Sequence, residues 1–351
     1  PLAKPAQGLP AAQDNGGAVY TGLRPVERFD ISPPLRDIPQ AKVDTNTFNQ
    51  ETEDDGPLPT GDSKFTGAGT LQTILGPLAI PTPIISFDGN PNLCGCAPPD
   101  PNGDVGPNNF VTMSNLHFQV FNKSGVSIFG PVANNTIWAG FGGACQTENA
   151  GDPIILYDQL ADRWFLSQFT AAGPTYYNCV ALSTSPDPAG TYYRYAINNG
   201  SEFPDYPKYG MMPEAYYIAT RNVTTAESAG AFALNRAQML AGDPNPQIIS
   251  FLVPGGSQRY RIGNGLLPAD MDGMTPRPPG TPQYYIGTQD QGGPLGAPSD
   301  ALNIWEFVAD FATPANSSFT LASTLVMTGG PFDTQPAFCA GRSCVPQAGT
   351  S

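Results

Sequence analysis

Histidine is almost missing from this 351-residue chain; His117 is the single example. Structural zinc draws on histidine and cysteine together, and no histidine lies near a cysteine, so zinc is not expected. Covalent haem needs Cys-x-x-Cys-His, which is absent, and neither haem nor nucleotide is expected. Charge is also scarce: only 13% of residues are Asp, Glu, Lys or Arg, about half the usual ~25%. Helix bundles carry many such residues on their solvent faces, so the composition argues against that class. Cations are scarcer still. Sixteen Lys and Arg stand against 30 Asp and Glu, a formal charge of −14. A nucleic-acid groove or an anionic membrane surface needs clustered cations, so neither is an expected partner. No run approaches the ~18 apolar residues of a membrane-spanning helix.

What is abundant is turn chemistry and aromatic area. The 39 Gly and 39 Pro make up over a fifth of the chain, beside 19 Phe, 14 Tyr and 3 Trp. That composition builds an aromatic, β-branched core in one large β domain or two smaller ones. Six cysteines, Cys94, Cys96, Cys145, Cys179, Cys339 and Cys344, with few lysines and an Asn/Thr-rich texture, point to an oxidising compartment. Cys339 and Cys344 are close enough for a local staple, and Cys145 with Cys179 can tie neighbouring segments. Cys94-Gly-Cys96 is left unassigned, because a bridge across one residue is strained and crossed pairings are equally allowed. Pro1 reads as the start of a mature chain whose leader has been removed. Sequons at Asn122, Asn134, Asn199, Asn222 and Asn316 are candidate glycosylation sites.

Residues 1–85 lack periodicity and hold too many prolines for helix or central strand. They read as an extended Pro-rich arm that wraps its own domain or reaches a neighbouring subunit. From residue 86 short β runs follow, among them 110–114, 116–122, 154–157, 164–169, 176–182, 192–197, 215–220, 231–234, 248–253, 284–287, 304–308 and 319–326. Only 226–240 has helical character.

An aspartate-led corner precedes an aromatic-aliphatic run four times, at Asp104, Asp152, Asp205 and Asp272, in steps of 48, 53 and 67 residues. That is close to a β-propeller blade repeat of roughly 40 to 50 residues with insertions. The expected fold is all-β: a β-propeller-type domain over 86–351, with about four blades visible and the ring incomplete in this chain, behind the arm. Further blades would come from residues outside the chain or from a partner. A β-sandwich pair fits the strand count but not the period.

The turn Ser185-Pro-Asp187-Pro-Ala-Gly190-Thr191-Tyr192 resembles the Asp-box of sialidase-type (BNR) propellers, with its Gly displaced by one position. Asp187 would accept backbone N–H groups and Tyr192 would pack beneath, a fold staple rather than a catalytic element. The words around 97–111 and 151–164, with Phe203-Pro-Asp-Tyr-Pro-Lys-Tyr-Gly and Leu266-Leu-Pro-Ala-Asp-Met-Asp-Gly, resemble a family of uncharacterised secreted bacterial proteins. The resemblance covers roughly 86–351. It implies a secreted, sialidase-like propeller whose members continue beyond residue 351, and it supplies no activity.

Asp100-Pro-Asn102-Gly-Asp104 places oxygen ligands at alternate positions around a Gly, like the opening of a calcium loop; Asp270-Met-Asp272 is a second candidate. Ca2+ is thus the one cofactor expected, against an ordinary Asx-turn. A glycosidase needs two carboxylates about 5 to 9.5 Å apart. Asp104, Asp152, Asp158, Asp205, Glu214, Asp272 and Glu306 are available, and Arg163, Arg194, Arg221, Arg259 and Arg261 would have to converge on a sialidase substrate. Ser-His-Asp catalysis would have to use His117, and no G-x-S-x-G elbow exists. Paired tyrosines recur at 176–177, 192–193, 216–217 and 284–285. In a strand one ring of each pair faces in and the other out. Tyr193 and Tyr217, with Arg163 and Trp164, are therefore candidate binding residues for a sugar or a protein. The expected role is a secreted or cell-surface non-catalytic protein. It would assemble through residues 1–85 as a homo-oligomer or extracellular array, or bind a glycan or protein on its propeller face. The alternative is a sialidase-like glycoside hydrolase.

Overall fold

The computed structural model describes residues 16–43, 82–96, 98–223, 228–256, 259–263, 265–293 and 295–328. Cys339 and Cys344 lie outside them. In chain order the strands are β1 (Val19–Leu23), β2 (Val26–Ile31), β3 (Asn102–Val105), β4 (Asn109–Ser114), β5 (His117–Asn122), β6 (Ser127–Ala133), β7 (Ile154–Asp158), β8 (Arg163–Phe169) and β9 (Tyr176–Ser183). They continue as β10 (Tyr192–Gly200), β11 (Pro204–Met211), β12 (Ala215–Asn222), β13 (Ser228–Asn235), β14 (Ile248–Val253), β15 (Leu267–Pro268), β16 (Gln283–Gln289), β17 (Ala301–Val308) and β18 (Ser318–Val326). Helices are minor among the described residues: α1 (Ala144–Thr147), α2 (Arg236–Leu240) and four 3-10 turns. No helix among the described residues is long and apolar enough to cross a membrane.

The fold is all-β. Among the described residues the strands form four antiparallel sheets, none of them closed. The first is β3-β4-β5-β6 and the fourth β15-β16-β17-β18. The second runs β7-β8-β9-β10 and the third β11-β12-β13-β14, each lengthened by one strand from the N-terminal segment, β2 on β10 and β1 on β14. The expected helix at 226–240 is mostly strand β13. Ser-Ala-Gly-Ala-Phe-Ala-Leu holds good helix formers, but the run is buried along its whole length between β12 and β14. Tertiary packing overrides propensity there. Only Arg236–Leu240 is helical, capped by Asn235, whose side chain accepts the Gln238 N–H at 3.2 Å.

First strands of successive sheets pack together: β3 on β7, β7 on β11, β11 on β15. Gly210 makes the last approach possible, because a Cβ there would lie 2.3 Å from the Ala269 carbonyl oxygen. The sheets meet face to face. On β8, Trp164 turns toward the first sheet and Phe165 toward the third, where it packs on Tyr216 with ring centroids 4.8 Å apart. On β12, Tyr216 turns back toward the second sheet and Tyr217 forward to Phe307 of the fourth, 5.5 Å away. Both rings of that pair are therefore buried. The expectation of one ring in and one out assumes a sheet with one wet face, and the second and third sheets have none.

The free face of the first sheet is covered by residues 82–96. Phe87 packs on Phe121 at 5.3 Å and Asn90 Nδ2 donates to the Thr112 carbonyl at 3.3 Å. His117 is buried on this face, its Nε2 2.8 Å from the Pro91 carbonyl oxygen and its Nδ1 3.1 Å from that of Asn115.

Residues 16–43 form a belt that visits the sheets in reverse order. Gly16 lies against Trp305 and Leu321 of the fourth sheet, β1 pairs with β14 of the third, and β2 pairs with β10 of the second. Leu35 N–H donates to the Gly190 carbonyl at 3.0 Å, and the Ala41 carbonyl accepts Ala133 N–H of the first sheet at 3.1 Å. Leu35 and Ile38 are buried in the core shared by the first two sheets. A segment without its own core is ordered by sheet edges that supply partners for its backbone.

Candidate functional site

Two of the four aspartate corners, Asp104 and Asp152, sit where the first strands meet, and with Asn102 and Asp270 their oxygens tie one sheet to the next; Asp272 is exposed. On β3, Asn102 and Asp104 share a face because strand side chains alternate. Asn102 Oδ1 accepts the Ile155 N–H and Asp104 Oδ2 the Tyr157 N–H, both at 2.7 Å. Asp152 Oδ2 accepts the Tyr206 N–H at 3.0 Å, and Asp270 Oδ1 the Met211 N–H at 2.7 Å. Each tie crosses a sheet junction. Asn115 joins the group, donating to Asp100 and accepting the Asp152 N–H at 2.9 Å. Asp100, Asp152 and Tyr206 all take positive φ, at 39°, 43° and 46°.

Among the described residues no group of three or more His, Cys, Asp or Glu is gathered as a metal site. Asn102, Asp104 and Asp270, three of the five calcium candidates, spend oxygens on backbone amides. Asp100 serves Asn115, and Asp272 is exposed. Lys208 is the cation of this region, its Nζ 3.3 Å from the Tyr206 ring centroid. Desolvation lowers its pKa, opposed by Asp152, Asp100 and Asp205. Partial burial, with the like charges of Asp272 and Asp104, raises the Asp270 carboxyl against the lowering backbone N–H groups of Met211 and Met271.

Arg163 and Arg194 do not share one site. Arg194 is buried and bidentate to Asp30 of β2, with Nη1 donating to the Ile137 and Ala139 carbonyls. Arg163 serves the carbonyls of its own turn, Ala161 and Asp162. Asp158, buried in the second sheet, takes two bonds from Arg236 at 2.6 and 2.9 Å and one from the Tyr216 hydroxyl at 2.6 Å. Burial, then Asp158, push the Tyr216 phenol well up.

A cleft of about 660 Å3 opens between the β11–β12 turn, the end of β17 and the proline-rich loop 276–282. Tyr217 donates to Glu214 Oε1 at 2.8 Å, and Arg277 pairs with the same oxygen. Arg277 also donates to the Pro282 carbonyl at 2.7 Å and Gln283 Oε1 at 3.0 Å. Glu214 keeps 38% of its side chain exposed. The walls are prolines with Phe307 and Val308. Such a site suits a ligand with an apolar face and a hydroxyl or amine for the carboxylate.

Of the four binding candidates only Tyr217 lines this cleft. Trp164 is core, its Nε1 donating to the Pro186 carbonyl at 3.0 Å and its ring 4.9 Å from Tyr157. Tyr193 is half-buried against Phe29 and Gly242. These rings are not free to bind because a neighbouring sheet or the belt covers their faces. Arg277 and Lys208 were not singled out in the sequence. The run Pro-Arg-Pro-Pro-Gly-Thr-Pro was the available signal, since dense proline makes a rigid wall.

Asn134, Asn199 and Asn222 are buried; Asn134 Nδ2 donates to the Ser114 carbonyl and Asn222 Nδ2 to Ser228 Oγ, both at 3.1 Å. A glycan does not fit at any of the three without unfolding, whereas Asn316 is exposed and Asn122 half-buried. Cys145 pairs with Cys179 and Cys94 with Cys96. The turn at 185–192 has the staple geometry: Asp187 Oδ1 accepts the Ala189 N–H at 3.1 Å, and Tyr192 is buried with its hydroxyl on the Pro188 carbonyl. No family model, curated protein or solved structure matches this chain.

Proposed function

We propose that this chain is a secreted, non-catalytic binding protein with a β-propeller-type body of the sialidase-like kind. Three features support the architecture: first strands in contact in chain order, middle sheets covered on both faces, and the Asp-box-like turn at 185–192. The two cysteine pairs suit an oxidising compartment. One observation carries the functional reading. Asp104, Asp152, Asp158 and Asp270, four carboxylates at the sheet junctions, accept backbone N–H groups or pair with Arg236, so they serve as joints. Glycoside hydrolysis needs a pair of carboxyl groups presented to substrate, and Glu214 is the one carboxylate among the residues lining the cleft.

The ligand seat is then the Glu214–Tyr217–Arg277 cleft, and the chemistry it suits is a hydroxyl-bearing ring, a sugar foremost. A glycan array tests this. Binding is expected from the wild type and is lost in Thr281→Trp, which fills the cleft, with an unchanged melting curve. No glycan bound, or binding indifferent to Thr281→Trp, overturns the cleft reading. Release of sugar from an extracellular glycan by the wild type, lost in Glu214→Gln with an unchanged melting curve, establishes the hydrolase instead.

A further inference from the structure

The cleft beside Glu214 is poor in hydrogen-bond donors. Five of the residues lining it, Pro213, Pro276, Pro278, Pro279 and Pro282, are prolines and bring no backbone N–H. Other donors are already committed. The Tyr217 hydroxyl donates to Glu214 Oε1. Arg277 Nη2 pairs with the same oxygen, and Nη1 serves the Pro282 carbonyl and Gln283 Oε1. The Thr281 N–H closes a turn on the Pro278 carbonyl at 3.2 Å. An acceptor, by contrast, stands open. The Glu214 side chain is 38% exposed, and both bonds it receives fall on Oε1. Among the described residues no donor reaches Oε2.

We infer that this cleft selects its sugar by charge, taking one with a free ammonium group ahead of a neutral one and refusing an acidic one. Glu214 is the selecting residue and Arg277 its counter-charge. The inference rests on the cleft being the ligand seat. An acidic sugar brings a carboxylate, which only accepts. It needs N–H groups or a free cation, and it meets the open oxygen of Glu214 instead. That is the opposite of a sialidase site, where arginines hold the substrate carboxylate. A neutral sugar supplies hydroxyl donors. A protonated amine supplies up to three N–H donors and a positive charge, so its bond to Oε2 is charge-assisted. Glu214 then lies between two cations, Arg277 on Oε1 and the ligand on Oε2. Attraction across one hydrogen bond outweighs repulsion between cations on opposite oxygens, because Coulomb energy falls with distance. The formal charge of −14 on the chain favours the same ligands at longer range.

Titration calorimetry at about pH 6, where an amine holds its proton, tests it with three probes: a glucosamine oligosaccharide, its N-acetylated form and an oligogalacturonate. The wild type is expected to bind the amine form about 2- to 5-fold more tightly than the acetylated one. The acidic probe should bind at least about tenfold more weakly than either. Salt at ~1 M, where the Debye length is about 3 Å, should erase the amine advantage and leave neutral binding in place. Glu214→Gln leaves the Arg277 charge uncompensated, so the amine advantage should vanish and the acidic probe gain. Arg277→Gln should instead raise the amine affinity by about 2- to 5-fold. Opposite responses of the amine to the two variants are an outcome that loss of fold does not produce. An acidic probe bound as tightly as the amine, or an amine advantage that survives both ~1 M salt and Glu214→Gln, overturns the selection by charge and leaves a sugar cleft standing. Failure to bind any of the three overturns it as well, and the glycan array with Thr281→Trp decides separately whether the cleft seats a sugar.

Discussion

Replacing Asp30 with alanine should unlock the belt. The Arg194 side chain is 1% exposed and Asp30 34%. The carboxylate takes Nε at 2.7 Å and Nη2 at 2.6 Å, while Nη1 holds two carbonyls and the guanidinium lies over Phe141. Breaking a buried ion pair from one side costs about 3–5 kcal/mol, because the remaining charge stays buried. Asp30 is one-third wet, so water can follow the lost carboxylate, and we take about 2–3 kcal/mol. At 1.4 kcal/mol per decade that opens the belt about 30- to 140-fold more often. Trypsin reads the opening at Arg28 and Arg36, both in the belt. Cleavage under native conditions follows the open population when reclosing is fast. The expected result is a comparable rise in nicking rate at those two bonds. Asp30→Leu with Arg194→Met, which removes both charges, should recover most of the loss. A rate for Asp30→Ala within about threefold of wild type would refute the reasoning that this pair locks the belt.

Asp104→Ala removes the acceptor of the Tyr157 N–H and should cost about 1–3 kcal/mol in urea unfolding, with Asp104→Asn keeping most of the stability. Desolvation lowers the His117 pKa, against two backbone carbonyl hydrogen bonds that raise it. The unfolded chain therefore takes up the proton first. Stability should fall as pH drops below the ordinary value of about 6.5 and flatten below the folded pKa, and His117→Gln should lose that component of the pH profile. Changing Cys145 and Cys179 together to alanine opens a link between residues 34 apart and should cost about 3–4 kcal/mol on the loop-entropy account, seen as a lower melting temperature.

The chain alone settled the class of fold. Scarce charge, abundant Gly and Pro, and short aromatic runs allow little besides antiparallel sheets, and each of the twelve runs it marks falls on a strand between β4 and β18. It also marked Asp104 and Asp152, which stand at the starts of the first two sheets. Their role it could not show, because Asn-Gly-Asp-Val and Pro-Asp-Tyr-Pro-Lys-Tyr have the composition of turns, yet they are the first strands β3 and β11. A strand at a crowded junction can tolerate Pro, Gly and Asp when its neighbour takes up the polar groups. Only tertiary structure supplies that neighbour: Asp104 meets Tyr157 across 53 residues, and Asp30 meets Arg194 across 164. Burial follows the same rule. A tyrosine pair reads as half wet from alternation, and Tyr216 and Tyr217 are both dry because a sheet lies on each side. Local pattern fixes which way a side chain leaves the strand; what stands there to receive it is decided by parts of the chain far away in sequence.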